Sequence, residues 1–270
     1  MEVIGVMTVA IVFCAIAFAV GKSAIERGYT AEELSAARGL AAAYAAAAAD
    51  HDGELLPGYD DSAEGYKMPH GPWVSSAAAH RYPFRLAPYF DYNIDGTILL
   101  TRNKAQLASL GMPNEEYAAS LYPALGMNST YVGGEYRKGD SGETMDKECA
   151  TNLSQVPNSS RMLVFASAAR KNGDKVIDGY FELVPPNKRV KVWTGSDTVD
   201  KEDPSPERYG NVAFRHNGQA VCGFLDGSVR MMGPKELRDM RLWSKNAQIK
   251  DNPDYTIEVS KPPPGRGSGR

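Results

Sequence analysis

Cysteine is scarce in this sequence, and the spacing of the few present excludes the usual zinc sites. The chain has three cysteines in 270 residues, Cys14, Cys149 and Cys222. None of them belongs to a CxxC pair or to a Cys/His spacing of the kind that holds zinc. Cys149 and Cys222 could form one disulfide if the part of the chain after the N-terminal run is exported, or they could remain two buried thiols.

An excess of charge and the familiar catalytic motifs are missing as well. The formal net charge is −3 at pH 7, which gives no electrostatic basis for binding nucleic acid, so we expect no such partner. The sequence contains no Gly-x-Ser-x-Gly elbow, no P-loop and no dinucleotide fingerprint. We therefore expect a protein that is not an enzyme.

Long apolar runs are absent except at the N-terminus. Residues 3–20 are 18 consecutive residues without a charge, and a helix of that length is about 27 Å long, enough to cross a hydrocarbon core. A cleaved signal peptide is the alternative, because Ala17-Phe18-Ala19 resembles a cleavage site. A signal needs a basic leader, however, and only Met1 and Glu2 precede the run, so we expect a membrane anchor.

A second helix is predicted from Thr30 to about Ala49. Thr30 and Glu33 have the spacing of a capping box, and the run Asp50-His51-Asp52-Gly53 should end the helix. One face of this helix is apolar and mostly small: Leu34, Ala37, Ala41, Tyr44 and Ala48. Such a face permits close packing, and we expect it to pack on a sheet.

Two turn signals organise the stretch 212–232. Three short runs of strand-forming residues are joined there by Asn217-Gly218 and by Asp226-Gly227. Both dipeptides tolerate a positive φ at the two central positions of a type I′ turn. The stretch therefore predicts a three-stranded antiparallel meander, and the apolar run 161–168 predicts a further, buried strand.

The same stretch carries a recognisable pattern. His216, nine intervening residues and then Asp226-Gly227 resemble the H-X9-DG signature of prepilin-type proteins of the planctomycete and verrucomicrobial type. Residues 2–7 are similar to the start of a type IV pilin helix, where a single Glu stands at the head of an apolar segment. Residues 36–59 resemble the pseudopilin stretch in which a long helix ends at Asp-x-Asp-Gly followed by Leu-Pro. The three segments occur in the order found in that family and cover about a third of the chain.

The resemblance implies a fold and a domain layout. The fold that the resemblance implies is α+β and pilin-like. In it a long N-terminal helix, whose first half is transmembrane, packs on an antiparallel sheet, and the three-stranded meander lies at the C-terminus. We expect a transmembrane assembly helix at 1–21, the soluble part of the helical region at 22–53, and a globular α+β domain at 54–260. The Pro- and Gly-rich end, 261–270, is expected to be a disordered tail.

The resemblance also implies a function. The chain is similar to a major pseudopilin, a structural subunit that assembles through its N-terminal helix into a type II secretion or type IV pilus-like filament. In that family the Glu, here Glu2, offsets the α-amino group of a neighbouring subunit. Its partners would be copies of itself, other secretion-system pseudopilins and the inner membrane, with the globular domain periplasmic or extracellular. The family's basic leader does not precede Glu2, which favours the alternative, a membrane-tethered periplasmic binding or scaffold protein that does not polymerise.

A catalytic or metal-binding reading of the motif is disfavoured by distance. His216 and Asp226 should lie at opposite ends of a seven-residue strand, roughly 24 Å apart, so we expect both residues and Gly227 to have structural roles. The acidic residues Asp50, Asp52, Asp60 and Asp61 do not have the spacing of an EF-hand. We expect no cofactor, with Ca²⁺ as the alternative that the family implies.

Overall fold

The protein is an α+β chain with one long N-terminal helix and several small sheets. The computed structural model describes the backbone of residues 2–112, 114–138, 147–200 and 205–257, and the side chains from Ser23 onward. The helices are α1 Glu2–Asp50, α2 Ser76–Ala79, α3 Tyr82–Leu86, α4 Thr101–Ser109, α5 Glu115–Leu121, α6 Pro234–Leu237 and α7 Lys245–Ile249. The strands are β1 Tyr59–Asp60, β2 Tyr66–Lys67, β3 Trp73–Val74, β4 Leu125–Met127, β5 Glu135–Tyr136, β6 Leu163–Ser167, β7 Ala169–Asn172, β8 Lys175–Asp178, β9 Ala220–Phe224 and β10 Val229–Met232.

Helix α1 is continuous, so the predicted second helix with an N-cap at Thr30 is wrong. Thr30 lies inside the helix, where its hydroxyl donates a hydrogen bond to the carbonyl oxygen of Glu26 at 2.9 Å. Threonine can bond the carbonyl four residues back and stay in a helix. The predicted C-terminal end is confirmed, because the amide of Gly53 bonds the carbonyl of Ala48 at 2.7 Å and Gly53 has a φ of 86°, a geometry that favours glycine.

The predicted membrane anchor requires correction. Among the residues whose side chains the structure describes, no helix is long and apolar enough to cross a membrane. This finding contradicts the transmembrane first half of the helix, the single-pass inner-membrane location, and the periplasmic and secretion assignments that depended on an anchor. The run 3–20 and Glu2 belong to α1 by their backbone, but their side chains lie outside the described residues.

The C-terminal half of α1 packs on a four-stranded antiparallel sheet with the strand order β10-β9-β6-β4. Of the face that was predicted to be buried, Ala37, Ala41, Tyr44 and Ala48 are almost inaccessible and Leu34 is partly buried. Gly223, in the middle of β9, lies beneath this face, because a Cβ placed there would be 3.7 Å from the Cβ of Ala41. Small residues on both partners thus bring the helix close to the sheet.

The predicted three-stranded meander is wrong in its first strand. Strand β9 pairs with β10 and with β6, whereas residues 212–216 form only isolated bridges, from Val212 to Ala168 and from His216 to Gln219. Both turns are present. Asn217 and Gly218 have φ values of 52° and 80°, as a type I′ turn requires.

The second turn differs from its prediction, because Gly227 alone has a positive φ, 83°. The amide of Gly227 bonds the carbonyl of Phe224, and the amide of Phe224 bonds the carbonyl of Ser228. These bonds define a three-residue hairpin loop, in which a glycine normally takes the left-handed position.

The segment 212–216 is buried because it contributes to an aromatic core rather than to the sheet. Phe214 packs edge-on against Trp193 and Tyr209, and Trp193 packs edge-on against Trp243. Edge-to-face aromatic pairs of this kind add about 1 kcal/mol each beyond their buried area. The predicted disordered tail, 261–270, lies outside the described residues.

Helix α5 offers a local test of the fold. Asn114 is its N-cap, and the side-chain oxygen accepts a hydrogen bond from the amide of Tyr117 at 2.6 Å. We expect Asn114→Ala to lower the free energy of unfolding by about 1 kcal/mol, because one amide at the helix start loses its acceptor. Asn114→Asp keeps an acceptor and should lower the free energy of unfolding much less. Urea denaturation of both variants measures these changes, and an equal decrease in the two variants would contradict the capping role of Asn114.

Candidate functional site

The residues of the H-X9-DG pattern do not form one site. His216 is buried and stands immediately before the Asn217-Gly218 turn, whereas Asp226 is exposed in the loop between β9 and β10. The length of β9 separates the two residues. Asp226 accepts a hydrogen bond from the amide of Ser228 at 2.9 Å, which is a local turn contact.

His216 binds helix α1 through both of its ring nitrogens. Its Nε2 lies 3.0 Å from Oε2 of Glu33, and its Nδ1 lies 2.9 Å from Oγ1 of Thr30. Both partners were predicted to form a capping box with each other. In the structure they lie one turn apart on a continuous helix and point together at the imidazole.

Arg215 completes a buried cluster of charges. Its guanidinium lies 3.2 Å from Glu33 and 3.1 Å from Asp178, and it donates to the carbonyl oxygens of Ala124 and Ala168 at 2.9 and 3.0 Å. The side chains of Arg215, Glu33 and His216 are each less than a tenth exposed. We call Thr30, Glu33, Asp178, Arg215 and His216 the Glu33 cluster.

The electrostatics of the cluster keep Glu33 ionised. Burial by itself would raise the pKa of its carboxyl group, but the positive charge of Arg215 and the hydrogen bond from His216 outweigh burial and lower the pKa from 4.5 to about 2. An opposite charge and a hydrogen bond to the charged form both favour ionisation. Glu33 is therefore a carboxylate near neutral pH, held by Arg215 and His216.

The hydrogen bonds also define how the imidazole is bound. The Thr30 hydroxyl donates to the carbonyl oxygen of Glu26, and its Oγ1 lies 2.9 Å from Nδ1 of His216. Nε2 faces a carboxylate, which only accepts. Both ring nitrogens are therefore engaged by helix α1. Thr30, His216 and Glu33 are the residue types of a hydrolytic triad, but the hydroxyl is already bonded within the helix, so the arrangement fits a structural contact.

Further contacts hold α1 on both sides of the cluster. The carboxylate of Glu32 accepts hydrogen bonds from the amide and the hydroxyl of Thr101, each at 2.9 Å. Arg102 pairs with Glu26 at 3.5 Å and with Asp178 at 2.9 Å. Helix α4 and strand β8 are thereby connected to α1 within the same two turns.

Sequence reasoning missed Glu33, Arg215 and Asp178 as members of one site. Glu33 was assigned to a capping box, because it lies three residues after Thr30 in the sequence. A signal was nevertheless present, because Glu33 begins the same helical face as Ala37, and a carboxylate on a buried face needs a cationic partner. The adjacent pair Arg215-His216 supplies that partner.

The other predicted site residues are placed as follows. Cys149 and Cys222 are both buried and no disulfide joins them, which is the second of the two alternatives that the sequence left open. Asp60 and Asp61 line a cleft of about 890 Å³ together with Glu54 and Glu135. In the described part of the chain, no three His, Cys, Asp or Glu residues are placed to hold a metal ion. The expected absence of a cofactor stays a prediction.

Comparison with known proteins identifies no relative. No family model matches the chain, and no curated protein or solved structure is significantly similar to it. The resemblance to pseudopilins therefore stays a hypothesis that depends on the three matching segments. The contacts of α1 with the rest of the chain are the remaining basis for a function.

Proposed function

We propose that this chain is a structural subunit that assembles with copies of itself through α1, in the manner of a pseudopilin-like filament. The observation that carries this proposal is the Glu33 cluster. It fixes α1 to the body by buried ion pairs at the point where the helix leaves the body. A helix held in this way keeps a defined direction, which a regular assembly requires.

The burial pattern along α1 supports the proposal. From Glu33 to Ala48 the helix buries a stripe against the sheet, whereas residues 23–28 are exposed. Ile25 in that segment is 56% exposed. Arg102 contacts Glu26 in this segment, but the apolar side chain of Ile25 is more than half exposed and so is available to a neighbouring subunit.

Substitution of Ile25 tests the role of α1. In the full-length protein, Ile25→Asp should reduce pelleting on ultracentrifugation and the filaments seen by electron microscopy, because a charge would enter the helix–helix contact. Val190→Asp is the matched control, since Val190 is also exposed, at 71%, but lies in a loop remote in sequence from α1. Glu2→Gln tests the carboxylate that the resemblance assigns to subunit docking.

The outcome separates assembly from its alternative. Loss of pelleting in Ile25→Asp but not in Val190→Asp supports assembly through α1. A wild-type protein that stays monomeric at all concentrations would instead favour a binding or scaffold protein that does not polymerise. The cleft at Asp60 and Asp61 favours that second function, because its volume of about 890 Å³ suits a small ligand.

A further inference from the structure

The cleft of about 890 Å³ beside β1 and β5 carries an excess of negative charge. Its charged lining residues are four carboxylates and two cations: Glu54, Asp60, Asp61, Glu135, Arg137 and Lys138. Arg137 is already paired with Glu135 at 3.1 Å. In the part of the chain that the structure describes, no lysine or arginine forms an ion pair with any of the other three carboxylates. The cleft therefore suits a cationic ligand.

Local hydrogen bonds hold Asp60 and Asp61 at the wall of this cleft. Oδ1 of Asp60 accepts from the amide and the hydroxyl of Ser62 at 3.0 and 2.6 Å. Oδ2 of Asp61 accepts from the amide of Lys138 at 2.6 Å. Each of these bonds uses one oxygen of its carboxylate, and a carboxylate has a second oxygen that can accept from a ligand.

The described chain ends near the cleft. The amide of Ile257 bonds the carbonyl oxygen of Lys188 at 2.7 Å, and the carbonyl oxygen of the adjacent residue, Asn187, accepts from the hydroxyl of Tyr131 at 3.3 Å. Four residues of chain, at most about 14 Å, lead from Tyr131 to Glu135 in the cleft wall. The path from Ile257 to the cleft is thus at most roughly 30 Å. Residues 258–270 follow Ile257, and an extended segment of that length spans about 43 Å, which is enough to reach the cleft.

The sequence of that segment has the opposite charge. Residues 261–270 contain Lys261, Arg266 and Arg270 and no acidic residue. They lack apolar side chains that could form a core, which is why the sequence predicts a disordered tail. Three consecutive prolines, 262–264, favour an extended chain, and a chain that is already extended loses less entropy when it binds. Charge is therefore the property by which this tail can bind a folded surface.

We propose that the tail, residues 261–270, binds in the acidic cleft of its own chain. Its cations pair there with Glu54, Asp60 and Asp61, and arginine suits this role because its guanidinium binds a carboxylate with two parallel hydrogen bonds. Binding within one chain is favoured because a segment tethered by a short linker has an effective concentration of about a millimolar. A ligand of the cleft must displace the tail, so the tail regulates access to the cleft.

Cleavage by trypsin tests whether the tail is bound. Trypsin cuts after Arg266, whereas Lys261 is followed by a proline and resists it. In the full chain at low salt concentration, cleavage after Arg266 should be slower, on the order of tenfold, than in a synthetic peptide of residues 258–270 under the same conditions. At high salt concentration the two rates should converge, because exposed ion pairs are screened. Intact mass measures the loss of residues 267–270.

Variants of the cleft test where the tail binds. The double variant Asp60→Asn with Asp61→Asn removes two charges and keeps the oxygens that bond Ser62 and Lys138, so cleavage of its tail should be as fast as in the free peptide. The matched control is Glu115→Gln with Glu116→Gln, which also removes two adjacent carboxylates, at the start of α5 and outside the cleft lining. Its tail should stay protected. Equal cleavage rates in the two double variants would overturn the inference.

A competing peptide tests whether the tail binds its own chain. The full chain with Lys261→Ser, Arg266→Ser and Arg270→Ser has an uncharged tail, so its cleft should bind a fluorescent peptide of residues 258–270 at low salt concentration. The wild-type chain should bind the peptide on the order of tenfold more weakly, because its own tail occupies the cleft. Equal binding to the two proteins, or no binding to the variant, would overturn the inference. Protection from trypsin that disappears on dilution would also overturn it, because the tail would then lie in the cleft of a neighbouring chain.

This inference goes beyond the proposed function and does not depend on it. Assembly through α1 is tested by Ile25→Asp, and Ile25 does not line the cleft. Loss of assembly therefore leaves the result for the tail unchanged, and a tail that does not bind leaves assembly through α1 untouched.

Discussion

Replacement of Glu33 by alanine should lower the free energy of unfolding by roughly 3–5 kcal/mol, the usual cost of breaking a buried ion pair. The substitution leaves Arg215 with Asp178 as its remaining carboxylate and leaves Nε2 of His216 without its acceptor. Arg215 stays buried with one carboxylate fewer, and removing one partner of a buried ion pair costs more than the pair itself contributes. Chemical denaturation monitored by circular dichroism measures the effect.

A matched control is available one residue away. Glu32→Ala removes the hydrogen bonds to Thr101, which lie at the surface. It should lower the free energy of unfolding by about 1 kcal/mol. If Glu33→Ala is no more destabilising than Glu32→Ala, the cluster does not fix α1 to the body. The proposed function would then lose the observation that carries it.

The stability of the protein should also fall steeply in acid because of Glu33. The folded pKa of its carboxyl group is about 2 and the unfolded value is near 4.5. A lowered folded pKa stabilises the native state above the unfolded pKa, and that stabilisation is lost as the pH falls from about 4.5 to 2. The difference corresponds to about 3 kcal/mol.

Glu33→Gln isolates this contribution, since glutamine has the same shape but does not titrate. The difference in unfolding free energy between the wild-type protein and Glu33→Gln should be largest above pH 5 and should shrink toward pH 2. Asp226→Asn is the comparison from the same sequence motif, and because Asp226 is exposed its pH dependence should be small. A difference between wild type and Glu33→Gln that is constant with pH would contradict an ionised Glu33.

Local patterns predicted much of the sheet and the end of the helix. The strands β6, β9 and β10, the turn at Asn217-Gly218 and the stop after Asp50 were all expected, because each has residues whose backbone preferences agree with the fold. Pairing partners were harder to predict. The segment 212–216 has the composition of a strand, but its apolar residues are buried instead in the aromatic core around Trp193. Strand β6 pairs with β9 in the position that this segment was predicted to occupy.

The candidate site was accessible to sequence reasoning only in part. His216 was selected from the motif and expected to have a structural role, but its partner Glu33 is 183 positions away in the sequence. Turn and cap rules describe neighbours in the chain and contain no information about such a contact. Thr30 was therefore assigned to a cap, although its hydroxyl lies within hydrogen-bond distance of the imidazole, 2.9 Å from Nδ1.

The positions of the Glu33 cluster residues in the sequence have a consequence for biosynthesis. The residues that neutralise Glu33 and the strand that covers α1 are translated in the last quarter of the sequence. At ordinary elongation rates the ribosome takes on the order of ten seconds or more between residue 33 and residue 216. During that interval the small-residue face of α1 lacks β9 as its cover, and Glu33 has neither Arg215 nor His216. The direction of α1 relative to the body can be set only when synthesis is almost complete, so a truncated chain would carry the helix without the means to orient it.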